Sequence, residues 1–352
     1  MSFSYRKGPF LAAHYVSGRS REAARGPTPP GLGGGIVGVM TERIDTGPPP
    51  PVETSGLTKR YGTLTAVDAL NLTVRPGEVY GFLGPNGAGK TSTLRMLLGL
   101  VRPTAGTVRL FGRPPGAPGQ LDRVGALIEG PGFYPYLSGR DNLRVLARYA
   151  GTPSGRIRTV LELVDLVARA GDRYANYSLG MKQRLGVAAA LLSDPRLLIL
   201  DEPTNGLDPA GMADMRALIR RLGAAGCTVL LSSHLLGEVQ QVCDRVGVVA
   251  RGRLVAESTV AELRGTASLR VVADPLDVAA DRARALLGAE RVRVVDGGLD
   301  LAVDPDRAAW INAELVDGGL AVRELRPKER DLEQVFFELT EEGGTDVAKA
   351  SR

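Results

Sequence analysis

From residue 52 onward the chain alternates short apolar runs with stretches whose apolar positions recur at helical spacing, the pattern of an α/β chain built on a mainly parallel sheet. Residues 52–57 and 66–74 predict strands, the second with apolar residues at alternate positions. Residues 78–83 predict a buried strand, followed by a helix over 89–100. Residues 197–200 are wholly apolar and end at Asp201 and Glu202, while residues 228–231 lead into Ser232, Ser233 and His234. Apolar strands that end in polar residues place those residues at the carboxyl edge of the sheet, where open α/β sheets take their ligands.

The texture changes after residue 265. A strand at 269–273, a helix at 276–287, a hairpin of 292–295 with 299–303 about a Gly-Gly turn, a helix at 307–315 and a strand at 320–325 spell β-α-β-β-α-β, the order of the ferredoxin-like unit. A last helix is expected at 332–339, where Leu332, Val335, Phe336 and Leu339 form a packing stripe. At the other end, residues 1–51 hold 8 of the 23 prolines and 9 of the 45 glycines. Such a segment has too little apolar area to offset its ordering entropy, and a disordered leader is expected. Met40 is the expected true start, with 1–39 as translated upstream sequence; the other reading is a flexible basic arm. The expected division is a leader at 1–51, a principal domain at 52–265, an accessory ferredoxin-like domain at 266–342 and a tail at 343–352.

Composition changes this picture little. With 352 residues, 43% hydrophobic, 24% charged and 5% aromatic, the chain is neither collagen-like, wholly disordered nor a coiled coil. A net charge of +5 invites a nucleic-acid reading until it is located. Arg6, Lys7, Arg19, Arg21 and Arg25 against Glu22 give residues 1–39 a net charge of +4, leaving +1 for the other 313 residues. No nucleic-acid partner is expected. Cys227 and Cys243 are the only cysteines, without zinc or disulfide spacing, which points to a reducing cytoplasm. No apolar run approaches the length of a membrane-spanning helix, and the first residues lack the features of a signal peptide.

The chemistry concentrates at Gly84, Pro85, Asn86, Gly87, Ala88, Gly89, Lys90 and Thr91, a GxxxxGK[ST] phosphate loop between a strand and a helix, with Ser92 following. Its glycines let backbone N–H groups turn inward around a β-phosphate, and the helix N-terminus adds favourable partial charge. Lys90 can reach the β- and γ-phosphates of ATP, and Thr91 can give its hydroxyl to Mg2+. More than 110 residues later, Asp201 at the end of an apolar strand is the expected second magnesium ligand. Glu202 is then placed to act as general base on the attacking water. Taken alone, two acids at a strand end read as a solvated terminus; the phosphate loop changes that reading.

Over residues 52 to about 255 the chain resembles the nucleotide-binding subunits of ABC transporters. Tyr177-Ser178-Leu179-Gly180-Met181-Lys182-Gln183-Arg184 is similar to the family's signature loop, with Leu179 and Met181 departing from the usual residues. The resemblance implies that Ser178, Leu179 and Gly180 meet the γ-phosphate of ATP held by an opposite subunit. Tyr61 corresponds to the aromatic that stacks on adenine; otherwise it is a surface residue. Asn205-Gly206-Leu207-Asp208 resembles the loop that couples two sites across a dimer, and otherwise reads as a helix cap before Pro209, with Asp208 as the coupling residue. His234 matches the histidine that contacts the γ-phosphate and joins Glu202 and Lys90 in the expected catalytic set. Glu129 stands where most members carry glutamine, and is expected to touch magnesium; the other reading points it at solvent and leaves sensing to residues 134–137. The run ALIEGPGFYPYL resembles ATPases of the bacitracin-resistance and lantibiotic-immunity type, a group of multidrug exporters that includes daunorubicin resistance.

The resemblance implies an α/β fold, a P-loop ABC-type nucleotide-binding domain with a helical subdomain, carrying the small C-terminal α+β domain. It implies an ATP-dependent homodimer that powers a separately encoded transmembrane permease, cytoplasmic and peripheral on the inner face of the membrane, for efflux of a drug, antibiotic or peptide-like molecule. The rival readings are a soluble non-transport ABC ATPase acting on ribosomes or DNA, an ABC importer ATPase, and a regulatory role in which the ferredoxin-like unit binds a small ligand.

Overall fold

The computed structural model describes residues 47–264 and 268–328. Most of the expected leader with Met40, the helix at 332–339 and the tail at 343–352 lie outside the described residues. The chain divides into two compact units; of the described residues, one holds 47–242 with 249–254, and the other holds the rest.

In the first unit, β1 (Val52–Tyr61) and β2 (Leu64–Val74) form a hairpin about Gly62 and Thr63. β3 (Val79–Leu83) leads into α1 (Lys90–Leu97), and β4 (Ala105–Leu110) and β5 (Val124–Leu127) follow. Three helices come next, α2 (Gly139–Ala150), α3 (Gly155–Leu163) and α4 (Leu179–Ala190), the helical subdomain. The chain then returns to the sheet with β6 (Leu197–Asp201), α5 (Pro209–Ala224), β7 (Thr228–Ser233) and α6 (Leu236–Val242). β8 (Arg245–Ala250) and β9 (Arg253–Thr259) are divided between the units, and α7 (Val260–Arg264) belongs to the second.

The strands follow the expected α/β pattern, and β1 and β2 run longer than local apolarity suggests. β1 continues through Lys59, Arg60 and Tyr61 because β2 supplies ladder partners, with Arg60 opposite Thr65 and Tyr61 opposite Leu64. β1 also pairs with β4 on its other edge, giving a three-stranded antiparallel sheet. In the parallel sheet β5, β6, β7 and β3 lie side by side, with Leu127 opposite Leu200, Asp201 opposite Ser232, and Leu83 opposite Ser233. This register brings four carboxyl ends to one edge, so that Gly84, Glu129, Glu202 and His234 all leave the sheet there. All five residues of β3 are buried, as are those of β6, which is why both read as unbroken apolar runs. Phe82, Leu94, Leu97, Ile199 and Leu230 share the core beneath the edge. A Phe→Ala change in such a core costs about 3–5 kcal/mol.

The expected helix at 89–100 is shorter as α1. Gly89 sits at the N-cap with φ of 99°, and Gly99, with φ of 69°, ends the helix by donating its N–H to Met96 O at 3.0 Å. Left-handed glycines are inexpensive stops for a helix, and here they hold it to two turns.

In the second unit, β10 (Ser268–Asp274), α8 (Leu276–Leu287), β11 (Val292–Val295), β12 (Gly298–Leu301), α9 (Ala308–Asp317) and β13 (Ala321–Lys328) follow in the expected order. The sheet runs β11-β12-β10-β13 with all neighbours antiparallel, the split β-α-β arrangement. Leu269, Val271, Ala280, Leu299, Leu301, Ile311 and Leu315 make its core. Among the described residues no helix is long and apolar enough to cross a membrane.

Candidate functional site

The loop between β3 and α1 is pinned from beneath and open above. Gly84 donates its N–H to Ser233 O at 3.1 Å, and the Ala88 carbonyl accepts from Gly252 N at 3.1 Å. A Cβ on Gly89 would lie 2.2 Å from Ala66 O and one on Gly84 2.4 Å from Val249 O, so only glycine allows this close backbone approach. At Gly87, with φ of 83°, a Cβ would meet nothing within 4 Å, so there the open side of the cradle begins. Pro85, Asn86 and Gly87 are exposed at its lip. α1 starts with no side-chain cap and no acidic residue in its first turn, so its leading N–H groups present positive potential to whatever enters. Ser92 lies half-buried in that turn.

Lys90 is only 6% exposed, and its ammonium is satisfied inside the loop. Nζ donates to Gly84 O at 2.6 Å and Pro85 O at 3.2 Å, and pairs with Glu202 Oε1 at 3.1 Å. Thr91 Oγ1 donates to Asp201 Oδ2 at 2.9 Å. A hydroxyl and a carboxylate side by side form the hard-oxygen pair that suits a magnesium ion, which keeps most of its remaining shell for phosphate and water. Among the described residues no group of three or more His, Cys, Asp or Glu is placed to hold a metal ion.

Glu202 is the most constrained acid of the site. Its backbone is left-handed, with φ of 49°, a conformation that a non-glycine residue adopts only when its surroundings enforce it. Its N–H donates to Ser232 Oγ at 3.0 Å, and its second carboxylate oxygen lies 2.7 Å from His234 Nδ1. Ser232 Oγ in turn donates to Asp201 Oδ1 at 2.6 Å. One buried hydroxyl thus fixes both acids.

The remaining residues lie apart from this cluster. Ser178 caps α4, its Oγ accepting from Met181 N at 3.2 Å, and it leaves Leu179 47% exposed beside it. A Cβ on Gly180 would meet only Leu207, at 4.0 Å. Tyr61 ends β1 with its ring 44% exposed and Lys59 Nζ 5.0 Å from the ring centroid. Asp208 caps α5, its Oδ1 accepting from Gly211 N at 3.0 Å, with Pro209 at the first helical position. Glu129 pairs with Arg95 of α1, and among the described residues it makes no bond to Thr91 or Asp201.

Three partners escaped sequence reasoning. Ser232 stands in a visible strand, but its function depends on the register of β6 against β7. Arg95 follows the phosphate loop closely, yet its acid is 34 residues away. Glu238 of α6 is buried and accepts the hydroxyl of Thr204, tying the segment after His234 to the chain after Glu202. Behind the signature loop, burial pushes the Tyr174 phenol up to about 12 and raises that of Tyr177, so both rings serve as neutral packing. Tyr177 Oη donates to Arg169 O at 2.8 Å.

The family described as ABC transporter matches residues 67–205. The bacitracin transport ATP-binding protein BcrA of Enterococcus faecalis is 40% identical over 299 residues, 83% of this chain and 97% of that protein. The daunorubicin/doxorubicin resistance ATP-binding protein DrrA of Streptomyces peucetius is 42% identical over 250 residues, 69% of this chain and 75% of that protein. A solved structure described as the ATP binding subunit of an ABC transporter superposes with a TM-score of 0.54 at 28% identity, covering 60% of this chain and 91% of the other.

Proposed function

This chain belongs to the ABC transporter family of ATP-binding proteins and binds and hydrolyses ATP, and from that premise we propose that it powers an exporter as the ATPase partner of a separate membrane permease. The observation that carries the catalytic part is the shared carboxylate of Glu202, held by Lys90 on one oxygen and His234 on the other. The relatives named for bacitracin transport and for daunorubicin/doxorubicin resistance support export of a drug, antibiotic or peptide-like molecule. In this reading the permease, which holds the transport path, selects the cargo.

The residues divide the work as follows. Lys90 exchanges its two carbonyl partners for β- and γ-phosphate oxygens, which carry more charge and bind it more strongly. The N–H groups at the start of α1 hold the same phosphates. Tyr61 offers its exposed face to adenine. Thr91 and Asp201, with Glu129 as a further contact, would hold a magnesium ion, which would supply charge neutralisation for the phosphates when bound. As Lys90 turns to phosphate, Glu202 Oε1 is released to accept a proton from water, while His234 keeps the carboxylate in place and contacts the γ-phosphate. Ser178, Leu179 and Gly180 of a second copy close over that phosphate, and Asp208 relays the closure, so two ATP molecules join two chains.

In this reading residues 52–265 are the ATPase domain and 266–342 an accessory domain that stabilises the dimer. The protein is cytoplasmic, held at the inner face of the membrane by the permease. The test is co-expression with a candidate polytopic permease. Cells should accumulate less bacitracin-class or anthracycline probe, and Lys90→Ala should abolish the effect. Equal accumulation with and without functional Lys90 would remove export from the account.

A further inference from the structure

Glu129 lies just past the end of β5 with φ of 60°, and Gly130 follows at 87°, so the backbone turns sharply where the carboxylate is presented. Its partner is Arg95, which lies on the same short helix as Lys90 and Thr91. The two side chains are 33% and 58% exposed, and an ion pair in that setting adds little to folding stability. Fastening the fold is therefore a poor explanation for the pair. What it does alter is the charge balance of the edge. Asp201 and Glu202 already bring two carboxylates to this end of the sheet, and each has its own partners, Thr91 and Ser232 for one, Lys90 and His234 for the other. A third carboxylate raises the repulsion unless it is neutralised, and Arg95 is the cation that neutralises it.

We propose that Arg95 is the positioning residue for Glu129: it holds the carboxylate away from Thr91 and Asp201, and Glu129 reaches a divalent cation only by leaving the guanidinium. This rests on the proposed magnesium role of Glu129. Arg95 thereby lowers the affinity of the site for the cation, and the effect runs through Glu129 alone. A neutral amide at 129 has no charge to exchange, so the influence of Arg95 disappears with it.

The test is a double-mutant cycle on the full chain, saturated with a non-hydrolysable ATP analogue and titrated with Mn2+ under electron paramagnetic resonance, with no turnover involved. Arg95→Met should tighten Mn2+ by up to about fivefold, the upper end of an exposed ion pair converted to affinity. Arg95→Lys should stay near wild type. Glu129→Gln should weaken Mn2+, and adding Arg95→Met to it should change nothing further. Thermal unfolding midpoints that match wild type show that folding is not the cause. Equal tightening by Arg95→Met in both backgrounds, or none in either, overturns the positioning role and leaves the metal role of Glu129 intact. Unchanged Mn2+ affinity in Glu129→Gln overturns the metal role, and the proposal with it.

Discussion

His234 Nδ1 lies 2.7 Å from Glu202 Oε2, on the opposite side of the carboxylate from Lys90 Nζ, which takes Oε1 at 3.1 Å. The carboxylate is thus held from both sides, and loss of the imidazole leaves it oriented by the lysine alone. His234→Ala should therefore lower the ATPase kcat by about 10²-fold or more, in the range of general-base effects, while ATP affinity changes far less. Phosphate release alongside equilibrium nucleotide binding measures both. A loss of affinity with kcat unchanged would assign His234 to binding alone.

Gly139 links the helical subdomain to the signature loop. A Cβ there would sit 2.1 Å from Tyr177 Oη and 2.9 Å from Cζ, and Tyr177 immediately precedes Ser178. Gly139→Ala should displace the ring and cost about 1–3 kcal/mol of stability, an overpacking effect. ATPase activity should fall further than urea unfolding accounts for, because Ser178 moves with the ring. Tyr177→Phe in the same background removes the clashing oxygen and should restore part of both.

Asp208 carries two assignments that one pair of substitutions separates. As the cap of α5 it is worth about 0.5–2 kcal/mol, which Asp208→Ala should lose and Asp208→Asn should largely keep. As a coupling residue between two copies it needs its charge. Asp208→Asn should then fold like wild type while the Hill coefficient of its ATPase falls towards one. An unchanged coefficient would leave Asp208 as a cap only.

Alkaline pH should destabilise the protein through its buried acids. Burial pushes the Cys227 thiol from 9.0 up to about 11, raises that of Cys243 further in the same direction, and takes the Tyr174 phenol from 10.0 to about 12. For such groups the unfolded chain loses its protons first, so stability is intact below the unfolded values and falls as pH rises past 9. Urea midpoints measured from pH 8 to 10.5 should decline, and a Cys227→Ala, Cys243→Ala variant should show a shallower decline. An equal slope in that variant would assign the effect elsewhere.

The parts of the site that are contiguous in the chain were legible in the sequence. The phosphate loop needs glycines, lysine and threonine at fixed spacing, and an apolar strand ending in Asp201 and Glu202 announces its own edge. The order of strands and helices from 268 to 328 was legible because their periods alternate cleanly, although β13 runs past the expected residue 325 to Lys328. Strand lengths were less so: β1 reaches Tyr61 through pairing with β2, a contact that no local pattern encodes. Ser232 and Arg95 illustrate the same limit at the site. Each is ordinary in its own segment and acquires a role only when a register or a turn brings an acid from 31 or 34 residues away.

In the proposed composite site, Lys90, Glu202 and His234 of one chain act with Ser178 of another. Glu202→Gln keeps the shape of the side chain and removes the base, so ATP should bind, persist and hold two chains together. Size-exclusion chromatography with light scattering on Glu202→Gln, with and without Mg2+ and ATP, measures this directly. A monomer is expected without nucleotide and a dimer with it, with Ser178→Arg abolishing the dimer. A Glu202→Gln chain that binds ATP tightly and remains monomeric would contradict the composite site.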